Sequence, residues 1–255
     1  MKKSTHLRMS IVFALLMVLP LSAQEMIDKF DQAINEFVKL DLFSGTVLVA
    51  KDGEILYAKA FGEADKDFHV KNTLETKFNI GSIGKTFTGT SIMQLAEQGK
   101  LNVMDPVKKY LPDFPFGDKI LIHHLLTHTS GTYNYFAHPD FDQKIYTIRS
   151  VGDALPLIYD QELRFKTPGE TFAYSNSGIV ILGAVIETLS GMSYPDYIQK
   201  NIFGPTGMTD TGINFLEDIV ENRAVGYDKR ITGKFTRNIF RMPPASADGG
   251  IETTV

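Results

Sequence analysis

Apolar side chains recur at two different spacings along this chain, and the change from one to the other marks out its elements. Over 26–40, Met26, Ile27, Phe30, Ile34, Phe37 and Val38 repeat at helical spacing and predict an amphipathic first helix. Two β-rich runs follow, 43–50 and 55–62, on either side of Lys51-Asp52-Gly53-Glu54. An Asp-Gly pair between such runs predicts a hairpin. Helical spacing returns from Phe87 to Leu101, with Phe87, Ile92, Met93, Leu95 and Ala96 inside and Gly99 as the stop. Residues 102–170 are punctuated by Pro106, Pro112, Pro115, Pro139, Pro156 and Pro168, which predicts loops around short helical pieces such as Ile120–Leu126. A second strongly apolar helix is predicted from about Ser177 through Ile179, Val180, Leu182, Val185, Ile186 and Leu189 to a stop at Gly191.

The expected class is therefore α+β: one hairpin followed by a mainly helical body. Two strands alone do not make an independently stable sheet, and no segment after residue 62 reads as a long strand. The last residues, Asp248-Gly249-Gly250-Ile251-Glu252-Thr253-Thr254-Val255, read as a turn entering another element. The expectation is a domain over 24–255 that is incomplete at its C-terminus, with the missing strands beyond Val255.

The first 23 residues follow a different logic. Lys2, Lys3 and Arg8 precede the apolar run Ile11–Leu19, Pro20 breaks it, and Leu21-Ser22-Ala23 supplies small residues before Gln24. This is the layout of a secretory signal peptide cleaved near Ala23, and the run is well short of the roughly 20 residues that span a bilayer. The expected location is outside the cytoplasm, periplasmic or secreted, with no stable membrane anchor. Removing 1–23 takes away three basic residues and no acid, leaving 23 basic against 30 acidic side chains. A body that acidic offers no electrostatic footprint for nucleic acid. With no Cys anywhere, a disulfide scaffold, a thiolate metal site and a Cys nucleophile are excluded.

Two clusters carry candidate chemistry. Ser82-Ile83-Gly84-Lys85 lies where Phe78-Asn79-Ile80-Gly81 gives way to the apolar helix. Residues three apart share a helix face, so the Lys85 amine can stand one turn above the Ser82 hydroxyl. Gly81 and Gly84 on either side are expected to leave space for a substrate. Tyr174-Ser175-Asn176 opens the second apolar helix and offers a phenol able to relay protons and a carboxamide able to hold a substrate amide. Each cluster alone also fits a helix cap.

Together, and in order with several other blocks, they resemble the serine β-lactamase and penicillin-binding-protein family, in its class C-like branch with Tyr-x-Asn. The matching blocks are Phe43–Asp65, Phe78–Thr88, Gly99–Pro106 with Tyr110-Leu111-Pro112, Leu125-Leu126-Thr127-His128-Thr129-Ser130-Gly131, Pro168-Gly169, Tyr174-Ser175-Asn176 and Ile202–Met208. The resemblance implies an antiparallel sheet with an all-helical region and a nucleophile helix between them. It implies Ser82 as the acylated nucleophile, Lys85 as a proton acceptor beside it, Tyr174 as the base that also activates the hydrolytic water, and Asn176 as a substrate contact.

The implied activity is an exported serine hydrolase that cleaves an amide or ester through an acyl-enzyme, without metal or organic cofactor. β-Lactams, peptidoglycan stem peptides and small esters all remain open as the small-molecule or peptide substrate. The family's third motif, Lys or His then a small residue then Gly on a late strand, is not found; Thr232-Gly233-Lys234 has the wrong order and lies too early. That absence keeps a non-catalytic reading in view, a protein holding peptide or cell-wall fragments in the same cleft. Oligomeric state is not readable. His123, His124 and His128 invite a metal reading, but no carboxylate joins them at a metalloprotease spacing. Glu162 and Glu170 read as solvated surface. Tyr133, Tyr135 and Phe136 fit either a cleft lining or packing under a loop.

Overall fold

A computed structural model of the chain describes residues 24–215, 217–238 and 247–255. The predicted leader at 1–23 lies outside the described residues. In chain order the elements are helix α1 (24–39), strands β1 (Gly45–Lys51), β2 (Glu54–Phe61), β3 (Glu63–Asp65), β4 (Val70–Lys71) and β5 (Phe78–Asn79), and helices α2 (Lys85–Glu97), α3 (Ile122–Leu126), α4 (Phe141–Lys144), α5 (Val151–Tyr159), α6 (Asn176–Ser190) and α7 (Tyr194–Ile198). Strands β6 (Gly212–Ile213), β7 (Tyr227–Lys229), β8 (Phe235–Arg237) and β9 (Ile251–Thr253) complete the order. The described residues divide into two compact units, one built from 24–76 with 222–237 and 255, the other from 77–215, 217–221, 238 and 247–254.

In the first unit, β1 and β2 form the antiparallel hairpin that the sequence predicts, paired from Gly45–Phe61 to Lys51–Glu54 with a bulge between Val49 and Ala50. Asp52 and Gly53 both have positive φ (52° and 83°), the backbone that a two-residue hairpin turn requires. Helix α1 is tied to this hairpin by Asp31, which accepts from Tyr57 Oη at 2.6 Å and from Lys59 Nζ at 2.5 Å. Burial and the Asp31 carboxylate push the Tyr57 phenol up to about 12. Two short antiparallel pairs, β3 with β4 and β7 with β8, fill out the unit.

The second unit holds the main core. Helix α6 lies at its centre, buried from Asn176 to Ile186, and ends at Gly191, the predicted stop, which takes a left-handed φ of 68°. Its Ile181, Leu182 and Ile186 pack with Ile92 and Leu95 of α2, Ile122 and Leu125 of α3, and Leu157 of α5. Helix α5 carries Pro156 inside it. Pro156 lacks the N–H that would bond the Gly152 carbonyl one turn back, but Val151, Ala154, Leu157 and Ile158 bury an apolar face that outweighs that loss. This is why a helix forms where the proline suggested a break. The last strand, β9, pairs antiparallel with both β5 and β6. Among the described residues the largest sheet has these three strands. No single described helix is long and apolar enough to cross a membrane.

Two helical glycines predict opposite outcomes. A Cβ at Gly183 would fall 2.6 Å from Ala247 Cβ and 3.2 Å from Val151 Cγ2, whereas one at Gly89 meets nothing within 4 Å. Replacing Gly by Ala in a helix gains roughly 0.5–1 kcal/mol, and overpacking costs about 1–3 kcal/mol. Gly89→Ala is therefore expected to raise the urea midpoint and Gly183→Ala to lower it. Equal shifts in the two variants would show that Ala247 does not press on α6.

Candidate active site

The site is built where β5 ends. Ile80 N–H bonds the Ile251 carbonyl at 2.9 Å, closing the strand pair, and Asn79 Oδ1 accepts the Gly81 N–H at 2.8 Å. Gly81 then takes a positive φ of 52° and sends the chain into a 3-10 turn, Gly81–Gly84, that runs directly into α2. Ser82 sits on the exposed side of this turn. Gly84 departs from the expectation of open space for a substrate. A Cβ there would meet Ile251 Cδ1 at 3.3 Å and Gly249 Cα at 3.6 Å, so its bareness lets the β9 segment press against the Ser82 turn.

Lys85 and Tyr174 converge on one atom. Ser82 Oγ accepts from Lys85 Nζ at 2.9 Å and from the Tyr174 hydroxyl at 2.9 Å. Lys85 Nζ also donates to the Asp248 carbonyl at 2.5 Å and lies 5.3 Å from the centre of the Tyr174 ring. The amine is thus pinned by a backbone oxygen, while the hydroxyl stands between two groups able to exchange protons with it.

Tyr174 is placed by its neighbour. Ser175 caps α6, its Oγ accepting the Gly178 N–H at 3.3 Å, and lies 2.9 Å from Thr132 Oγ1. Tyr174 itself remains 43% exposed. Asn176, the first residue of α6, is 6% exposed, and its Nδ2 donates to Asn134 Oδ1 at 3.5 Å. Asn134 Oδ1 also accepts the Phe136 N–H at 3.3 Å, which fixes it as the acceptor. Asn176 Oδ1 has no hydrogen-bond partner among the described residues. All four residues singled out in the sequence, Ser82, Lys85, Tyr174 and Asn176, lie in the second unit.

Comparison with known proteins settles the family. The beta-lactamase family model matches residues 30–255. This chain belongs to the beta-lactamase family. It is 38% identical over 200 residues to the "Putative penicillin-binding protein PbpX" of Bacillus subtilis (strain 168), covering 77% of this chain and 48% of that protein. The chain spans about half the length of the curated relatives it matches. Among solved structures, a penicillin-binding protein from Bacillus halodurans matches with a TM-score of 0.77 and 35% identity, over 88% of this chain and 68% of that one. A class C β-lactamase matches with a TM-score of 0.76 and 25% identity, over 91% of this chain and 62% of that one. The α+β, β-lactamase-like fold expected from the sequence is thereby established.

Residues that sequence reasoning passed over support the candidate site from behind. Asp248 is buried, and its carboxylate accepts from the Tyr135 hydroxyl at 3.3 and 3.2 Å. Thr88 Oγ1 donates to the Ala247 carbonyl at 2.7 Å and contacts Tyr194 Oη at 2.7 Å, in an environment whose burial pushes the Tyr194 phenol strongly up. Residues 247 and 248 are thus held from below while the Asp248 carbonyl holds Lys85. The only sequence signal was the Asp-Gly-Gly turn. Of the aromatic trio, Tyr135 is fully buried and Tyr133 is exposed. His124 serves its own helix, Nδ1 accepting the Leu121 N–H at 3.2 Å. Glu162 and Glu170 are exposed. Thr232-Gly233-Lys234 forms the turn between β7 and β8, closed by Gly233 N–H to the Arg230 carbonyl at 2.8 Å.

Proposed function

We propose that this chain is an exported serine hydrolase that cleaves an amide or ester bond through an acyl-enzyme on Ser82. The reading is carried by one observation: Ser82 Oγ within 2.9 Å of both Lys85 Nζ and the Tyr174 hydroxyl. Such convergence of nucleophile, amine and phenol is what activates a hydroxyl otherwise too weak to attack a carbonyl.

In acylation Ser82 Oγ bonds to the substrate carbonyl carbon, and its proton passes to the Tyr174 oxygen, directly or by way of the Lys85 amine. The Ser82 backbone N–H, at the opening of a helical turn, faces the developing oxyanion. Collapse breaks the carbon–nitrogen or carbon–oxygen bond, and Tyr174 hands the proton to the departing atom. In deacylation water attacks the ester carbon, Tyr174 takes the proton from that water, and the proton returns to Ser82 Oγ as it leaves. Asn176 contacts the substrate through its carboxamide. No step calls on a metal or organic cofactor.

Three chromogenic substrates separate the possible targets: a cephalosporin (nitrocefin), p-nitrophenyl acetate, and a D-Ala-D-Ala peptide. Turnover of at least one is expected. A folded protein that turns over none and forms no adduct with a fluorescent penicillin or a fluorophosphonate would instead be a binding protein that uses the same cleft. Tyr174→Phe, which removes a single oxygen, is expected to lower turnover by about 10²-fold and to lengthen the life of the acyl-enzyme. Parent-like deacylation in that variant would take Tyr174 out of the role of base. For export, the mature N-terminus is expected at Gln24 on sequencing of the extracytoplasmic protein. A chain that retains Met1 would contradict cleavage.

A further inference from the structure

The Tyr174 phenol is exposed, yet it must meet Ser82 Oγ at hydrogen-bond distance, so something has to fix the segment that carries it. One residue touches three consecutive positions there. The His128 carbonyl accepts the Ala173 N–H at 2.8 Å, and its Nδ1 accepts the Ser175 N–H at 3.3 Å. Between those two bonds, the imidazole lies 4.4 Å from the Tyr174 ring centre, with the ring planes at 34°. Phe172 closes the other edge of the imidazole at 6.1 Å in a T-shaped contact. His128 also holds a positive φ of 55°, a conformation uncommon outside glycine and one that persists only when the surroundings over-determine it.

We propose that His128 is a positioning residue for Tyr174, holding the phenol against Ser82 Oγ through the Nδ1 bond to Ser175 and the ring beneath the phenol. The proposal rests on the hydrolase reading above and adds to it a residue that touches neither substrate nor the reacting atoms. Because Nδ1 accepts from a backbone N–H, the imidazole is neutral with its proton on Nε2.

Among the described residues, Lys85 of α2 acts on it by its charge and Tyr174, from the stretch before α6, lies against its ring. Burial first, and then the Lys85 charge, push the imidazole below its usual 6.5. As pH falls below 6.5 the unfolded chain takes up a proton that folded His128 still refuses, so this residue withdraws stability on the acid side. Protonation in the folded state would turn Nδ1 into a donor aimed at the Ser175 N–H and would release the segment that holds Tyr174.

Two variants separate the parts of the contact. His128→Phe keeps a ring and loses the acceptor; His128→Asn keeps an acceptor, tolerates positive φ and loses the ring. With whichever substrate the parent turns over, His128→Phe is expected to lower kcat by about tenfold or more with KM changed less than about twofold. His128→Asn should recover part of that loss. In both variants the acid limb of the kcat/KM profile that His128 protonation contributes should disappear. Parent-like kcat together with an unchanged acid limb in both would overturn the proposal.

Where Phe at a left-handed position prevents folding, the Asn variant and ¹⁵N-histidine NMR of the parent decide. NMR should show Nδ1 unprotonated at pH 6.5, titrating below it, with the Ser175 amide signal moving in step. A titration at or above 6.5 that leaves Ser175 unmoved would overturn the proposal without reference to activity. The absence of turnover and of adducts in the parent would count against the hydrolase reading, and the NMR result would still decide whether His128 holds this segment.

Discussion

Ser82→Ala is expected to abolish hydrolysis and covalent labelling while leaving the fold intact. The variant removes one exposed oxygen. In the parent that oxygen accepts from Lys85 and Tyr174 at 2.9 Å each and supports no buried packing. Lys85 keeps its bond to the Asp248 carbonyl and Tyr174 its stack on His128, so neither group is stranded without a partner. Turnover should fall by a factor on the order of 10⁴ or more, as for the loss of the nucleophile in a serine hydrolase. The thermal midpoint should move by no more than a degree or two, because a surface change of this kind stays within about 0.5 kcal/mol. Initial rates on purified parent and variant, with melting curves measured alongside, check both halves. Residual hydrolysis above about a hundredth of the parent would mean that some other group attacks the substrate.

The second large effect belongs to Lys85→Ala. Its amine lies 2.9 Å from Ser82 Oγ, as near as the Tyr174 hydroxyl, and the Asp248 carbonyl at 2.5 Å holds it there. Truncation removes the amine and its bond to the Asp248 carbonyl. Acylation is expected to slow by about 10³-fold, close to 4 kcal/mol of barrier, while the dissociation constant for the unreacted substrate changes by no more than a few-fold. Single-turnover kinetics separates the two, because it follows formation of the adduct rather than its breakdown. An acylation rate unchanged by the substitution would leave Tyr174 as the sole acceptor of the Ser82 proton.

Much of this molecule could be read before it was seen, for reasons specific to each element. The hairpin was legible because Asp52-Gly53 has a local cause, the positive φ of its turn. Helix α6 was legible because Ile179, Val180, Leu182, Val185 and Ile186 state their burial through their spacing, and Gly191 states its end. Ser82 and Lys85 were legible as a pair because three residues on a helix bring two side chains together without help from the rest of the fold.

What escaped was non-local. Helix α5 was hidden by Pro156, a local signal overruled by a buried face that only tertiary contact rewards. Gly84 was read as room for substrate, when it is Ile251, far along the chain, that occupies the space. The carbonyl that pins Lys85 comes from Asp248, and no sequence periodicity reports where a backbone oxygen will point. His128 was weighed as a metal ligand because His124 stands four residues before it. Its partners, Tyr174 and Ser175, lie more than forty residues away and leave no mark at that spacing.

Localising the acyl group tests the central claim most directly. Brief reaction with a slowly hydrolysed β-lactam or with a fluorophosphonate, acid quench, digestion and tandem mass spectrometry should place one added group on Ser82 and nowhere else. A stoichiometric adduct on a different residue, or turnover with no covalent species at any time point, would contradict the account.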